Sequence, residues 1–257
     1  MRHWLFVVVL FSSVVANAAY VFVTPNNLGS WHNGPLLICG APPGTIDFVL
    51  GPGAPPLGAG SLQIDIPTSS PLVVFFSSAL DGVPLTDLTE LRYSTFVVFA
   101  SSPGIAPRLL LSIDTNNPSA PFDQIEFQPR LQDGSTPGIP NQGAVVTGAW
   151  QSWNALAGGW RSLFFGPANA PPITLATYAA AHPGARLQFG GLGPGMAILA
   201  GCDGARMRAN VDDFRIAVNG AQTIFDFEVF PPVPAFEPWA AVLLAIVLVV
   251  LGLHKMS

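Results

Sequence analysis

The sequence predicts an all-β protein: a two-sheet, jelly-roll-like β-sandwich with one short helix. Three observations carry that expectation. Gly and Pro number 26 each in 257 residues, and both collect in turns, where one supplies left-handed backbone and the other a fixed φ. Half of the residues are hydrophobic and only 10% are charged, so the chain can bury a core rather than stay disordered. Short runs rich in Phe, Val and Thr recur between the turns, about a dozen in all, which is the pattern of a sandwich or barrel. A solenoid would need a repeating period, and the sequence has none.

The elements are taken in chain order. Residues 1–18, MRHWLFVVVLFSSVVANA, have the parts of a signal peptide: Arg2 and His3, an apolar stretch from Trp4 to Phe11, and Ala16-Asn17-Ala18 as a small-x-small cleavage site. The apolar stretch is shorter than the ~20 residues of a membrane span, and an uncleaved anchor is the alternative. Residues 19–230 form one expected domain. Strands are expected over 20–24, 45–50, 61–66 and 72–78. Residues 26–35, with Trp31 and His32, read as a loop, and GPGAPPLGAG at 51–60 as a rigid loop. In 61–66, Leu62, Ile64 and Ile66 share a face opposite Ser61, Gln63 and Asp65. In 91–100, Leu91, Tyr93, Thr95, Val97 and Phe99 share a face. Strands at 108–114 and 124–131 flank the polar loop TNNPSAPFD. Residues 174–182 are the one expected helix, capped by Thr174 and ended by Pro183-Gly184. Strands at 185–189, 196–200, 210–218 and 223–228 complete the domain. Residues 231–257 are a Pro-rich linker and a C-terminal hydrophobic helix. Its uncharged run at 239–253 would reach about 22 Å, marginal for a bilayer, and a buried helix of the domain is the alternative.

The net charge is −5, with a pI near 5.1 and no basic stripe, so a nucleic-acid partner is not expected. The two cysteines, Cys39 and Cys202, point to one disulfide in an exported chain, with two buried thiols as the alternative. No G-x-S-x-G, H-E-x-x-H or Walker motif occurs, and the expectation is a non-catalytic protein. A glycan-cleaving carboxylate pair is the competing reading.

Residues 148–160, GAWQSWNALAGGW, hold half of the six tryptophans. If a strand persists through them, Trp150 and Trp153 point to opposite sides, one into the core and the other to the surface or beneath a loop. An exposed ring among Trp150, Trp153 and Trp160 would suit stacking on a sugar, with Gln151, Asn154 and Arg161 bonding hydroxyls. Core packing is the competing reading. Asp114, Asn116 and Asp123 bracket one loop and are the candidate cation ligands; solvated loop carboxylates are the alternative. In Asn210-Val211-Asp212-Asp213-Phe214, simple alternation puts Val211 with Asp213 and Asp212 with Phe214.

Two resemblances add to this. Val233, Pro234, Glu237 and Trp239, then an apolar run, Gly252 and the basic Lys255, resemble the bacterial IPTL-CTERM sorting tail, a relative of PEP-CTERM. That implies export, a membrane partner through the tail helix, an exosortase-type processing enzyme and display at the surface or in the matrix of a Gram-negative-type cell. The stretches GPGAPPLGAGSL, DLTELRYSTF, WQSWNALAGGW, NVDDFRI and FDFE resemble exported bacterial jelly-roll domains of the lectin-like and carbohydrate-binding kind. This second resemblance implies contact with extracellular polysaccharide, or a structural surface role, no cofactor, and room for a structural Ca²⁺.

Overall fold

Strands form wherever apolar residues alternate between the turns, because only one face of each can reach the core. The computed structural model describes residues 18–34, 44–69, 71–165, 170–190 and 193–230. In chain order the described strands are β1 (Ala19–Val23), β2 (Trp31–Gly34), β3 (Thr45–Leu50), β4 (Gly60–Ile66), β5 (Leu72–Ser77) and β6 (Leu88–Ala100). Then come β7 (Arg108–Asp114), β8 (Phe122–Phe127), β9 (Trp150–Asn154), β10 (Gly159–Ser162) and β11 (Ile173–Thr174). After helix α1 (Leu175–Ala181) come β12 (Arg186–Leu187), β13 (Phe189–Gly190), β14 (Gly193–Pro194), β15 (Met196–Gly201), β16 (Met207–Val218) and β17 (Ala221–Phe227).

Two sheets face each other. The second sheet runs β11-β10-β8-β7-β15-β5-β2, with β12 also on β7, and a small hairpin β13-β14 stands apart. The first sheet is built around β16. One edge of β16 pairs with β6 along its whole length, and β6 pairs onward with β9. The other edge is shared: Met207 to Val211 pair with β4, and Phe214 to Val218 pair with β17. The sheet therefore forks at Asp212 and Asp213, with β4 and β3 on one branch and β17 and β1 on the other. Among the described strands every ladder is antiparallel except β1 on β17. A two-sheet, mostly antiparallel sandwich with one short helix is thus the observed fold.

The core lies between the sheets and centres on Trp31. Its indole is fully buried. It stacks on Phe75 at 5.0 Å and meets the edges of Phe214, Phe225 and Phe227 at 5.4, 5.6 and 5.4 Å. Reading residues 26–35 as a loop is therefore corrected: Trp31 begins a strand paired with Ser77. Four residues with polar centres carry too little alternation to reveal it.

Strand parity between β16 and β6 breaks at three places, at Arg208/Ala209, Asp212/Arg215 and Ala217/Val218, and the first two matter here. Between Arg208 and Ala209 the pairing with β6 skips Val98, so Phe99 faces Arg208. The extra residue turns Phe99 to the outer face, away from Leu91, Tyr93 and Val97. At the fork, Asp213 adopts φ 51°, and Val211 and Phe214 both point into the core, fully buried. Simple alternation fails at both positions.

The expected helix is present. Thr174 caps it by accepting the Thr177 N–H at 3.1 Å, and Leu175 and Tyr178 are its buried face. The expected C-terminal hydrophobic helix is corrected. Among the described residues no helix is long and apolar enough to cross a membrane. The membrane and the exosortase-type enzyme as partners, and the anchored surface location, drew on that helix and are not carried further. The tail residues Val233, Pro234, Glu237, Trp239, Gly252 and Lys255, like residues 1–17 of the signal peptide, lie outside the described residues. So does Cys39. Cys202 is half of a disulfide, but no disulfide has both halves among the described residues.

Candidate functional site

The tryptophan stretch splits as strand parity requires. Trp153 points into the core, fully buried, and donates its indole N–H to Thr95 Oγ1 at 2.8 Å. Trp160 is buried on β10, packs on Phe127 at 5.6 Å and donates to the Ala155 carbonyl at 2.8 Å. Trp150 lies on the outer face against Phe96, and its N–H goes to the Pro52 carbonyl at 3.0 Å. The loop at 51–60 thus covers the one tryptophan that left the core. The Gln151 amide is used up locally, accepting from Val146 N–H and donating to the Ala144 carbonyl. Asn154 Oδ1 accepts the Ala157 N–H at 3.2 Å, and Arg161 Nε is buried with no partner. These six residues do not converge on a sugar platform.

The candidate cation ligands do not converge either. Asp114 Oδ1 caps its own turn by accepting the Asn116 N–H at 2.9 Å. Asp123 pairs across from Ile113 and is fully buried. Its Oδ2 accepts the Tyr178 hydroxyl at 2.9 Å, and its Oδ1 accepts Ser162 Oγ at 3.0 Å and the Phe164 N–H at 3.3 Å. Burial first, and the Asp123 charge second, push the Tyr178 hydroxyl far above its ordinary pKa. Asp123 stitches α1 to β8 and β10. Asp123→Ala is expected to cost about 2 kcal/mol in a urea titration, because it strands a buried hydroxyl. A change within about 0.5 kcal/mol, the ordinary surface range, would show the stitch to be idle. Among the described residues no group of three or more His, Cys, Asp or Glu is arranged to hold a metal ion.

Two carboxylates with raised pKa values sit at the fork. Burial, with the Asp226 charge adding to it, raises Asp212 to about 7. Burial, then Glu228 and Asp213, raises Asp226 to about 6. Such values suit an acid or base, but the geometry assigns them to the scaffold. Asp212 Oδ2 accepts the Leu57 N–H at 2.9 Å, and Glu228 Oε1 accepts the Ala59 N–H at 2.7 Å. Gly58 (φ +50°) lies so close that a Cβ there would sit 1.6 Å from Glu228 Oε1. The 51–60 loop covers these carboxylates, and Asp212, Asp226 and Glu228 are buried beneath it.

An open site lies further along the same face. A groove of about 300 Å³ is lined by Asp65, Val98, Phe99, Arg206 and Arg208, among others. Val98 and Phe99 are 44% and 46% exposed, high for large apolar side chains beside one another. The β6 bulge puts them there, whereas sequence parity alone places Phe99 in the core. The Arg206 guanidinium lies over the Phe99 ring, 5.6 Å from its centre. Its backbone is fixed on both sides: Arg206 N–H donates to Ser101 Oγ and Ser101 N–H to the Arg206 carbonyl, each at 2.9 Å. Arg208 donates through Nε to Asp65 Oδ2 at 3.0 Å and through a second nitrogen to the same oxygen. An open ring, two guanidinium groups and a carboxylate thus meet in one concavity.

Two other grooves are less suited. One of about 440 Å³ between Leu85, Leu88, Leu156, Leu175 and Ala179 is almost wholly apolar. One of about 540 Å³ carries Glu90, Arg92, Asn154 and Gln222 but no aromatic ring, and Glu90 already engages both Arg92 and Gln222. No family model matches the chain, and no curated protein matches it.

Proposed function

We propose that this chain is a non-catalytic glycan-binding protein whose ligand, a polysaccharide, lies in the Phe99 groove. The observation that carries the reading is the exposed Phe99 ring with Arg206, Arg208 and Asp65 around it. Sugar recognition asks for this combination: a flat apolar ring for the C–H face of the pyranose, and fixed charged groups for its hydroxyls. The resemblance of the body to jelly-roll carbohydrate-binding domains agrees with it, at the level of architecture. Strands β4, β6 and β16 hold Asp65, Phe99 and Arg208, and Arg206 directly precedes β16 with its backbone tied to Ser101, which lowers the ordering cost of binding.

Phe99→Ala is expected to weaken polysaccharide binding about tenfold or more while leaving the melting transition near that of the parent, because the ring is not part of the core. Affinity electrophoresis of the full-length chain through gels containing soluble polysaccharides measures this. Trp150→Ala, on the same face but covered by Pro52, serves as the comparison. If Trp150→Ala abolished retardation and Phe99→Ala did not, the site would have to be moved.

A further inference from the structure

We infer that the Phe99 groove selects acidic glycans, with a uronate carboxylate seated on the Arg206 guanidinium; this rests on the glycan reading above. The reason is unbalanced charge. The protein carries a net charge of −5, so an anionic polymer is repelled by most of its surface. The groove reverses that sign locally. Arg208 is balanced by Asp65, at 2.5 Å. Arg206, like Arg130, Arg161 and Arg186, has no carboxylate within ion-pair distance among the described residues, while Arg92, Arg108 and Arg215 each have one; of those four, Arg206 is the one that lies over an exposed ring. Arg206 nevertheless is not a wandering surface group. Its backbone is tied to Ser101 on both sides and its head rests over Phe99. A guanidinium that rests over a ring and has no ion-pair partner is available to a planar, two-oxygen acceptor.

The neighbours narrow the ligand further. A simple inorganic anion would gain nothing from Val98 and Phe99, which are open to solvent beside the cation. A neutral sugar would use the ring but leave Arg206 unanswered. A uronic acid offers both features at the spacing of one residue: a C–H face for the ring and a carboxylate on C5 for the guanidinium. Asp65 holds Arg208 in place and, being negative, disfavours a second carboxylate there. The groove therefore suits one charged residue at a time along a chain, not a densely sulfated polymer.

The test titrates the full-length chain with an oligogalacturonate and with the same oligosaccharide after reduction of its carboxyl groups to alcohols. The acidic form is expected to bind about tenfold more tightly at low salt, and the advantage should shrink as salt is raised. Arg206→Gln should bring the two affinities together, with an unchanged melting transition, since the side chain is exposed. Phe99→Ala should weaken both. Equal binding of both forms by the parent, lost in Phe99→Ala, would overturn the acidic preference and leave the glycan reading in place. A preference that survives in Arg206→Gln would also overturn it. Binding of neither form by the parent would count against the acidic preference, and if the polysaccharide gels also gave no retardation, the glycan reading would fall too.

Discussion

Trp31→Ala is expected to lower the free energy of unfolding by about 3–5 kcal/mol, the range for removing a large aromatic from a packed core. Equilibrium urea denaturation measures it. The indole touches four phenylalanines from both sheets, Phe75 of the second and Phe214, Phe225 and Phe227 of the first. Rigid strands on both sides cannot collapse into the space left behind. Trp31→Phe is a telling companion. It keeps a ring on Phe75 and removes an indole N–H that is buried without a partner, which offsets part of the lost volume. A loss of about 1–2 kcal/mol is expected for it. A loss below about 1 kcal/mol for Trp31→Ala would mean that the two sheets meet elsewhere.

Raising the pH from about 5 to about 8 is expected to weaken the domain by about 2–4 kcal/mol. The cause is the fork. Asp212 and Asp226 are raised from an ordinary 3.8 to about 7 and about 6, chiefly by burial. Both groups hold their protons more tightly folded than unfolded. Their contribution is therefore full below about pH 4 and is lost as the pH rises through about 6 and then about 7. Each unit of raised pKa is worth about 1.4 kcal/mol, and the two carboxylates share one field, so their effects do not simply add. Asp226 Oδ1 is buried with no partner, so Asp226→Asn removes a charge that nothing neutralises. That variant should flatten the pH profile and be the more stable chain at about pH 8. Urea midpoints at the two pH values decide it. A parent that gains stability with pH over this interval would show that the fork carboxylates are already ionised in the fold.

Much of the sandwich was legible because one-sided burial writes itself as alternation. Residues 45–50 and 108–114 are strands over the expected bounds, and the opposite facing of Trp150 and Trp153 comes from parity alone. What parity could not show is what covers the outward residue. Trp150 is capped by Pro52, 98 positions away in the chain, and no local pattern encodes that. The candidate site was hidden for a related reason. Phe99 continues the odd-numbered series from Leu91, and only the extra residue Val98 turns it outward. The same holds at Asp213, where a left-handed backbone lets Val211 and Phe214 face one way. A bulge is a property of two paired strands, and a single strand's sequence carries little trace of it. Trp31 was missed because the four-residue strand it begins is too short to show a period. The patterns of the terminal segments lie outside the described residues.

The parallel pairing of β1 with β17 sets the order of assembly. Ala19 lies opposite Thr223 and Val23 opposite Phe227, partners about 200 positions apart. On a ribosome, the first strand waits for the last before it has a neighbour. Until β17 arrives, the Trp31 indole lacks Phe225 and Phe227, and one branch of the fork is missing. Loop-closure entropy over such separations makes folding slow, on the order of milliseconds to seconds. For that interval the incomplete chain leaves the aromatic rings around Trp31 uncovered, the kind of exposed apolar surface on which chains associate.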